Sequence, residues 1–195
     1  MKLHYMGKYN MDPNSLPALE HKPGAVKFKE VENSGQLALV ANILALLLLV
    51  IFSAVAFMRV PDLLSHPAAI ITGLLASLLT LVPHECLHSI CFKKDVYLYM
   101  NLSQGMAFVV GQESMTKKRF VFMSLLPNLV FGFFPFILGL IFPQLTFCIV
   151  FGLLCITMGA GDYYNVFNAL TQMPKGAYTY LHKLNSYWYI PENTK

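Results

Sequence analysis

The sequence predicts an all-α polytopic membrane protein, with four transmembrane helices and a small cytoplasmic-side β-hairpin between the second and the third. Three observations carry that expectation. Of the 195 residues, 56% are hydrophobic and 12% charged, with a mean hydropathy of +0.54, too apolar for a soluble domain of this length. The apolar residues gather into runs long enough to cross a hydrocarbon core of roughly 30 Å. Taking four such runs as spans also places all but one of the 14 basic residues on the same side.

The elements follow in chain order. Residues 1–35 read as a cytoplasmic N-terminal segment, polar and broken by Pro13, Pro17 and Pro23, so no cleavable signal peptide is expected. No charge occurs between Glu32 and Arg59, and 36–58 makes the first span. From 63 to 92 Glu85 is the sole formal charge, and 68–92 makes the second, interrupted by Pro83. Strand-like runs 96–100 and 106–110 around Gly105 predict a hairpin, with Val96 and Val110 at its ends. Both of its faces are apolar, so it is expected against the membrane surface or in the mouth of the helical bundle. From 120 to 174 Asp162 is the only formal charge, and Pro143-Gln144 divides this length into spans 120–142 and 145–167. The membrane domain is thus 36–170. Residues 171–195 form a cytoplasmic tail whose tyrosines and Trp188 suit the headgroup zone.

Lysine and arginine placement sets the orientation. Lys2, Lys8, Lys22, Lys27, Lys29, Lys93, Lys94, Lys117, Lys118, Arg119, Lys175, Lys183 and Lys195 fall on one side and Arg59 on the other, which predicts cytoplasmic N- and C-termini and the lipid bilayer as the surroundings. The basic residues flank apolar runs and form no stripe interleaved with aromatics, so nucleic acid is excluded as a partner. Cys86, Cys91, Cys148 and Cys155 lie in apolar stretches without a disulfide framework.

The chemistry concentrates in His84-Glu85-Cys86-Leu87-His88, a His-Glu-x-x-His on a predicted helix. Histidines at i and i+4 share one helical face, so both imidazoles can reach a single metal ion. Glu85, beside the first histidine, can take a proton from water without being a ligand itself. A carboxylate inside a bilayer costs roughly 2.5–3.5 kcal/mol on insertion scales, so packing alone is a poor explanation for it. Catalytic zinc usually has three protein ligands and an open position. Asp162, alone in its span and predicted at the same depth as the histidines, is the third; His66 falls at the far face, and His4, His21 and His182 in the tails. Asn165, one turn beyond Asp162, is a candidate for orienting a ligand or donating to an oxyanion, and equally for an interhelical hydrogen bond. Asn128, after Pro127, either faces the site or satisfies a kink. Gly159 and Gly161 would allow close helix approach, and Cys86 reads as packing.

These residues resemble the putative zincin peptidase family of bacterial membrane proteins, and more distantly the site-2 class of intramembrane metalloproteases. The resemblance spans about 68–167 and rests on His84, Glu85, His88, Asp162 and their spacing, with a hairpin after the motif. It implies zinc, Glu85 as general base, Asp162 as third ligand and a bacterial cell membrane. The context Gly161-Asp162-Tyr163 departs from the Leu-Asp-Gly or Asn-Pro-Asp-Gly of the site-2 class. The expected activity is zinc-dependent hydrolysis of peptide bonds in membrane-associated substrates near the cytoplasmic face, within 36–170 as a metalloprotease-like domain. The substrate would be a membrane-anchored protein held, once unwound, along the hairpin. The competing readings are a non-proteolytic metal-binding or regulatory membrane protein, which would not require Glu85, and an ion transporter, against which the absence of internal repeats speaks.

Overall fold

Helices and sheets share this chain. The computed structural model describes residues 1–31 and 33–192; Glu32 and Lys195, used above as topology markers, lie outside them. The described chain divides into two units, one made of 33–84 and 125–164, the other of 1–31, 85–124 and 165–192.

The first unit is helical. Asn33 opens it, its side-chain oxygen accepting the amides of Gly35 and Gln36, which satisfies donors that a helix start leaves without partners. Helix α1 (Ser34–Arg59) then runs unbroken. Leu39, Leu46, Leu47, Val50 and Ile51 are exposed along it, an apolar surface suited to lipid. Helices α2 (Pro67–Leu79) and α3 (Leu81–Ser89) meet at Thr80 with a bend of 45°. The break therefore lies at Thr80. Pro83 sits within the first turn of α3, where a missing amide proton costs least.

Helix α4 (Lys117–Pro127) passes through a wider π turn at Asn128–Phe133 into α5 (Phe134–Ile141). A proline at the end of α4 removes a donor from the regular ladder, and π turns are a known adjustment to such a loss. Helix α6 (Thr146–Met158) packs against α1, α2 and α5. Ala56, Phe136, Ile149, Leu153 and Ile156 form the core there. Close approach depends on Gly152, where a Cβ would lie 2.4 Å from the Phe136 amide nitrogen. Helix α7 (Ala160–Gln172) follows at a bend of 52°.

The second unit carries two sheets. In the first, β1 (Leu3–Lys8) pairs in parallel with β3 (Val96–Asn101), which pairs antiparallel with β4 (Met106–Gly111) through a turn at Gly105, φ 61°. In the second, the order is β2 (Val26–Lys27), β7 (Asn185–Tyr189), β6 (Tyr178–His182) and β5 (Met115–Thr116). The β3–β4 faces alternate. Tyr99 and Val110 pack with Tyr9 and Leu16 on one side, and Val96 packs with Phe92 and Met115 on the other.

The all-α expectation is therefore wrong: the fold is mixed, with a three-stranded and a four-stranded sheet. The sequence assigns no strands to residues 1–35, whose β1 and β2 find partners far away in sequence on β3 and β7, nor to the tail, whose β6 and β7 pair with each other in an aromatic hairpin that resembles an interfacial belt. Both apolar faces of the hairpin are covered by protein, so neither requires a membrane. Trp188, expected in a headgroup zone, packs beside Phe28, Ala169, Met173 and Ala177. The count of four transmembrane helices is corrected with it: among the described residues, two unbroken helices, Gly35–Arg59 and Lys117–Ile141, are long and apolar enough to cross a membrane, while the other two stretches are the bent pairs.

Candidate metal centre

Helix α3 carries His84 and Glu85 in one turn and His88 in the next. The nitrogens and a carboxylate oxygen of these three lie within 4.8 Å of one another, the one such group among the described residues. Glu85 and His88 are buried, 8% and 7% exposed. A chain of this polarity would not bury them together without a use for their charge and lone pairs.

Each histidine is oriented by a partner in its own unit. In the helical unit, His84 Nε2 lies 3.0 Å from Asp162 Oδ2, in the first turn of α7. The same oxygen accepts from Asn128 Nδ2 at 2.8 Å. Asn128 is 1% exposed at the start of the π turn, and it fits because residue 159 is glycine: a Cβ there would lie 1.6 Å from Asn128 Oδ1. Gly161, in contrast, faces open space. In the other unit, His88 Nδ1 lies 2.9 Å from the Met123 carbonyl oxygen. A carbonyl only accepts, so Nδ1 carries the proton and Nε2 presents its lone pair. Fixing the ring tautomer through the distal nitrogen is how metal-ligating histidines are usually held.

The donor set suits zinc. Ligand atoms about 2.1 Å from a tetrahedral ion stand roughly 3.4 Å apart, the scale of the His84–Asp162 separation. Two imidazoles and a carboxylate are a ligand set that zinc accepts while keeping a position open.

Sequence reasoning named His84, Glu85, His88, Asp162 and Asn128, and the first three fall in one cluster. Asp162 and Asn128 join through the bonds just described. Asn165 is exposed on α7. The Met123 carbonyl was missed, because a backbone acceptor leaves no side-chain signature. Gly159 was singled out for close helix approach, but its specific neighbour, Asn128, could not be read from spacing.

Long apolar helices compatible with a membrane and a His-Glu-x-x-His cluster are features of a protein of the metallopeptidase kind. The family model described as "Putative zincin peptidase" matches residues 77–178, more than half of the chain, and the protein belongs to that family. A zincin family implies zinc. No curated protein and no solved structure matches the chain.

Proposed function

We propose that the protein is a zinc-dependent intramembrane protease, in which His84, His88 and Asp162 hold the ion and Glu85 is the general base. The observation that carries this reading is the 3.0 Å approach of His84 Nε2 to Asp162 Oδ2, which brings a carboxylate remote in sequence to the motif helix. Bound there, zinc supplies Lewis-acid chemistry, polarising a substrate carbonyl and making water acidic enough to attack it near neutral pH.

The chain's own groups do the rest. Glu85 accepts a proton from the attacking water at its carboxylate and delivers it to the leaving amine nitrogen as the peptide bond breaks. The Met123 carbonyl keeps the His88 proton on Nδ1. Asn128 keeps the Asp162 carboxylate turned toward His84.

The substrate is a membrane-anchored protein. Its helical carbonyls are already bonded, so a segment must unwind before attack, and an unwound segment offers main-chain groups to a sheet edge. Strand β3 is paired on both sides. Of the hairpin's two strands only β4 lies at an edge of the sheet, and that edge serves. The site lies near the cytoplasmic face of a multi-pass protein with both termini cytoplasmic, as the basic residues favour.

The test is cleavage of membrane-protein substrates by the purified chain and by Glu85→Gln. The variant should retain zinc and lose at least a hundredfold in rate, the scale of a lost general base. Equal rates would sink the protease reading and leave a metal-binding protein without hydrolysis.

A further inference from the structure

Glu113, Arg119 and Gly111 converge on the short stretch that leaves the motif helix. Glu113 is 7% exposed and its Oε2 accepts the backbone amides of Lys93 at 2.8 Å and Lys94 at 2.7 Å. Its other oxygen, Oε1, lies 2.5 Å from Arg119 Nη2 as a close ion pair. Arg119 in turn donates from Nε to the Cys91 carbonyl at 2.8 Å, and from Nη2 to the same oxygen. Phe92, between these anchors, packs its ring against Gly111, where a Cβ would collide with it. The exit from α3 is thus tied at Cys91, Phe92, Lys93 and Lys94.

Arg119 stands on α4 one turn before Met123, whose carbonyl takes the His88 proton. One rigid turn of helix therefore joins the anchor of the α3 exit to the acceptor that orients the imidazole. Burying an ion pair is costly unless its remaining lone pairs and protons find partners, and here the pair's other bonds go to the backbone just after His88's turn, at Cys91, Lys93 and Lys94.

We infer that the Glu113–Arg119 pair is a positioning device for His88, holding the start of α4 in register with the end of α3 so that the Met123 carbonyl meets Nδ1 and Nε2 is the nitrogen that serves the metal. The metal arm rests on the zinc reading above; the tautomer arm does not. Outer partners of metal-ligating histidines typically change affinity 10–100-fold when lost. A lysine cannot reproduce the two-pronged donation of Arg119 to Cys91, although it keeps the charge opposite Glu113.

The experiment uses the full chain in detergent, labelled with ¹⁵N-histidine, as wild type, Arg119→Lys, Glu113→Gln and Asn101→Ala. Asn101 is a control from the same unit, bonded to the Tyr9 carbonyl at 3.1 Å at the far end of β3 from the 91–94 stretch. Each is measured for Tm, for the His88 ring ¹⁵N shifts without metal, and for zinc affinity by chelator competition. Wild type should show His88 with its proton on Nδ1. Arg119→Lys and Glu113→Gln should show mixed tautomers and about tenfold weaker zinc binding, while Asn101→Ala lowers Tm and leaves both readouts unchanged. Arg119→Lys retains the ion pair, so it keeps the test open if Glu113→Gln does not fold. Wild-type ring shifts and affinity in a destabilised Arg119→Lys would overturn the inference, reducing the pair to a fold staple. If wild type bound no zinc but the ring shifts still moved in the variants, the zinc reading would fall and the positioning of His88 would stand.

Discussion

His84 Nε2 and Asp162 Oδ2 lie 3.0 Å apart although 78 residues separate them in the chain. The approach is made by the bend between α6 and α7, which falls at Gly159 and leaves Asp162 in the first turn of α7. The bend gives the Asp162 carboxyl a fixed direction toward His84.

Asn128 keeps that direction. Asn128→Leu removes the 2.8 Å bond to Asp162 Oδ2 and should weaken zinc binding on the order of 10–100-fold while the chain still folds. Chelator competition on purified protein measures it, and unchanged affinity would mean that the carboxylate is held by other groups.

Two neighbouring glycines should respond in opposite ways. Gly159→Ala drives a methyl into Asn128 Oδ1 and should cost about 1–3 kcal/mol as an overpacked contact, together with metal affinity. Gly161→Ala meets open space and should be neutral or stabilising by up to about 1 kcal/mol, the helix propensity gain. Thermal melts of both variants decide the matter, and equal destabilisation would contradict the packing described at Gly159.

The junction of β1 with β3 should depend on pH. The His4 ring bonded to Asp95, at 3.1 Å, chiefly holds the Asp95 carboxyl below its ordinary value of 3.8, with the Lys2 amide adding to the effect. A depressed carboxyl stabilises the fold above its unfolded pKa, and that contribution is lost as pH falls through the folded pKa. Amide exchange in Leu3–Lys8 should therefore quicken below pH about 4, relative to neighbouring strands. Asp95→Asn should abolish the pH dependence; an unchanged profile in that variant would assign it to another group.

Strand addition at β4 predicts which substrates are cut. Peptides N-methylated at alternate amides lose main-chain donors on one edge while keeping every side chain, so one of the two registers should be cleaved at least tenfold more slowly. Equal cleavage of both would remove the sheet edge from the mechanism.

Much of the site was legible in the sequence because its chemistry is expensive where it stands. Glu85 and Asp162 are the only formal charges in long apolar stretches, and His84 and His88 share the spacing of one helical turn. The fold was legible only in part. Alternation within 96–110 marks strands locally, but β1 and β2 are specified by partners in distant segments. The aromatic run at Tyr178–His182 has strand composition, yet beside apolar helices it reads equally well as an interfacial belt. The bend at Thr80 was hidden behind Pro83, which is tolerated in a first turn.

The most direct measurement is zinc per chain in detergent-purified protein, wild type beside Asp162→Ala. The account predicts about one zinc in wild type and a sharp fall in the variant, with both still folded. A well-folded wild type without zinc, or an Asp162→Ala variant that holds it unchanged, would contradict the three-ligand centre.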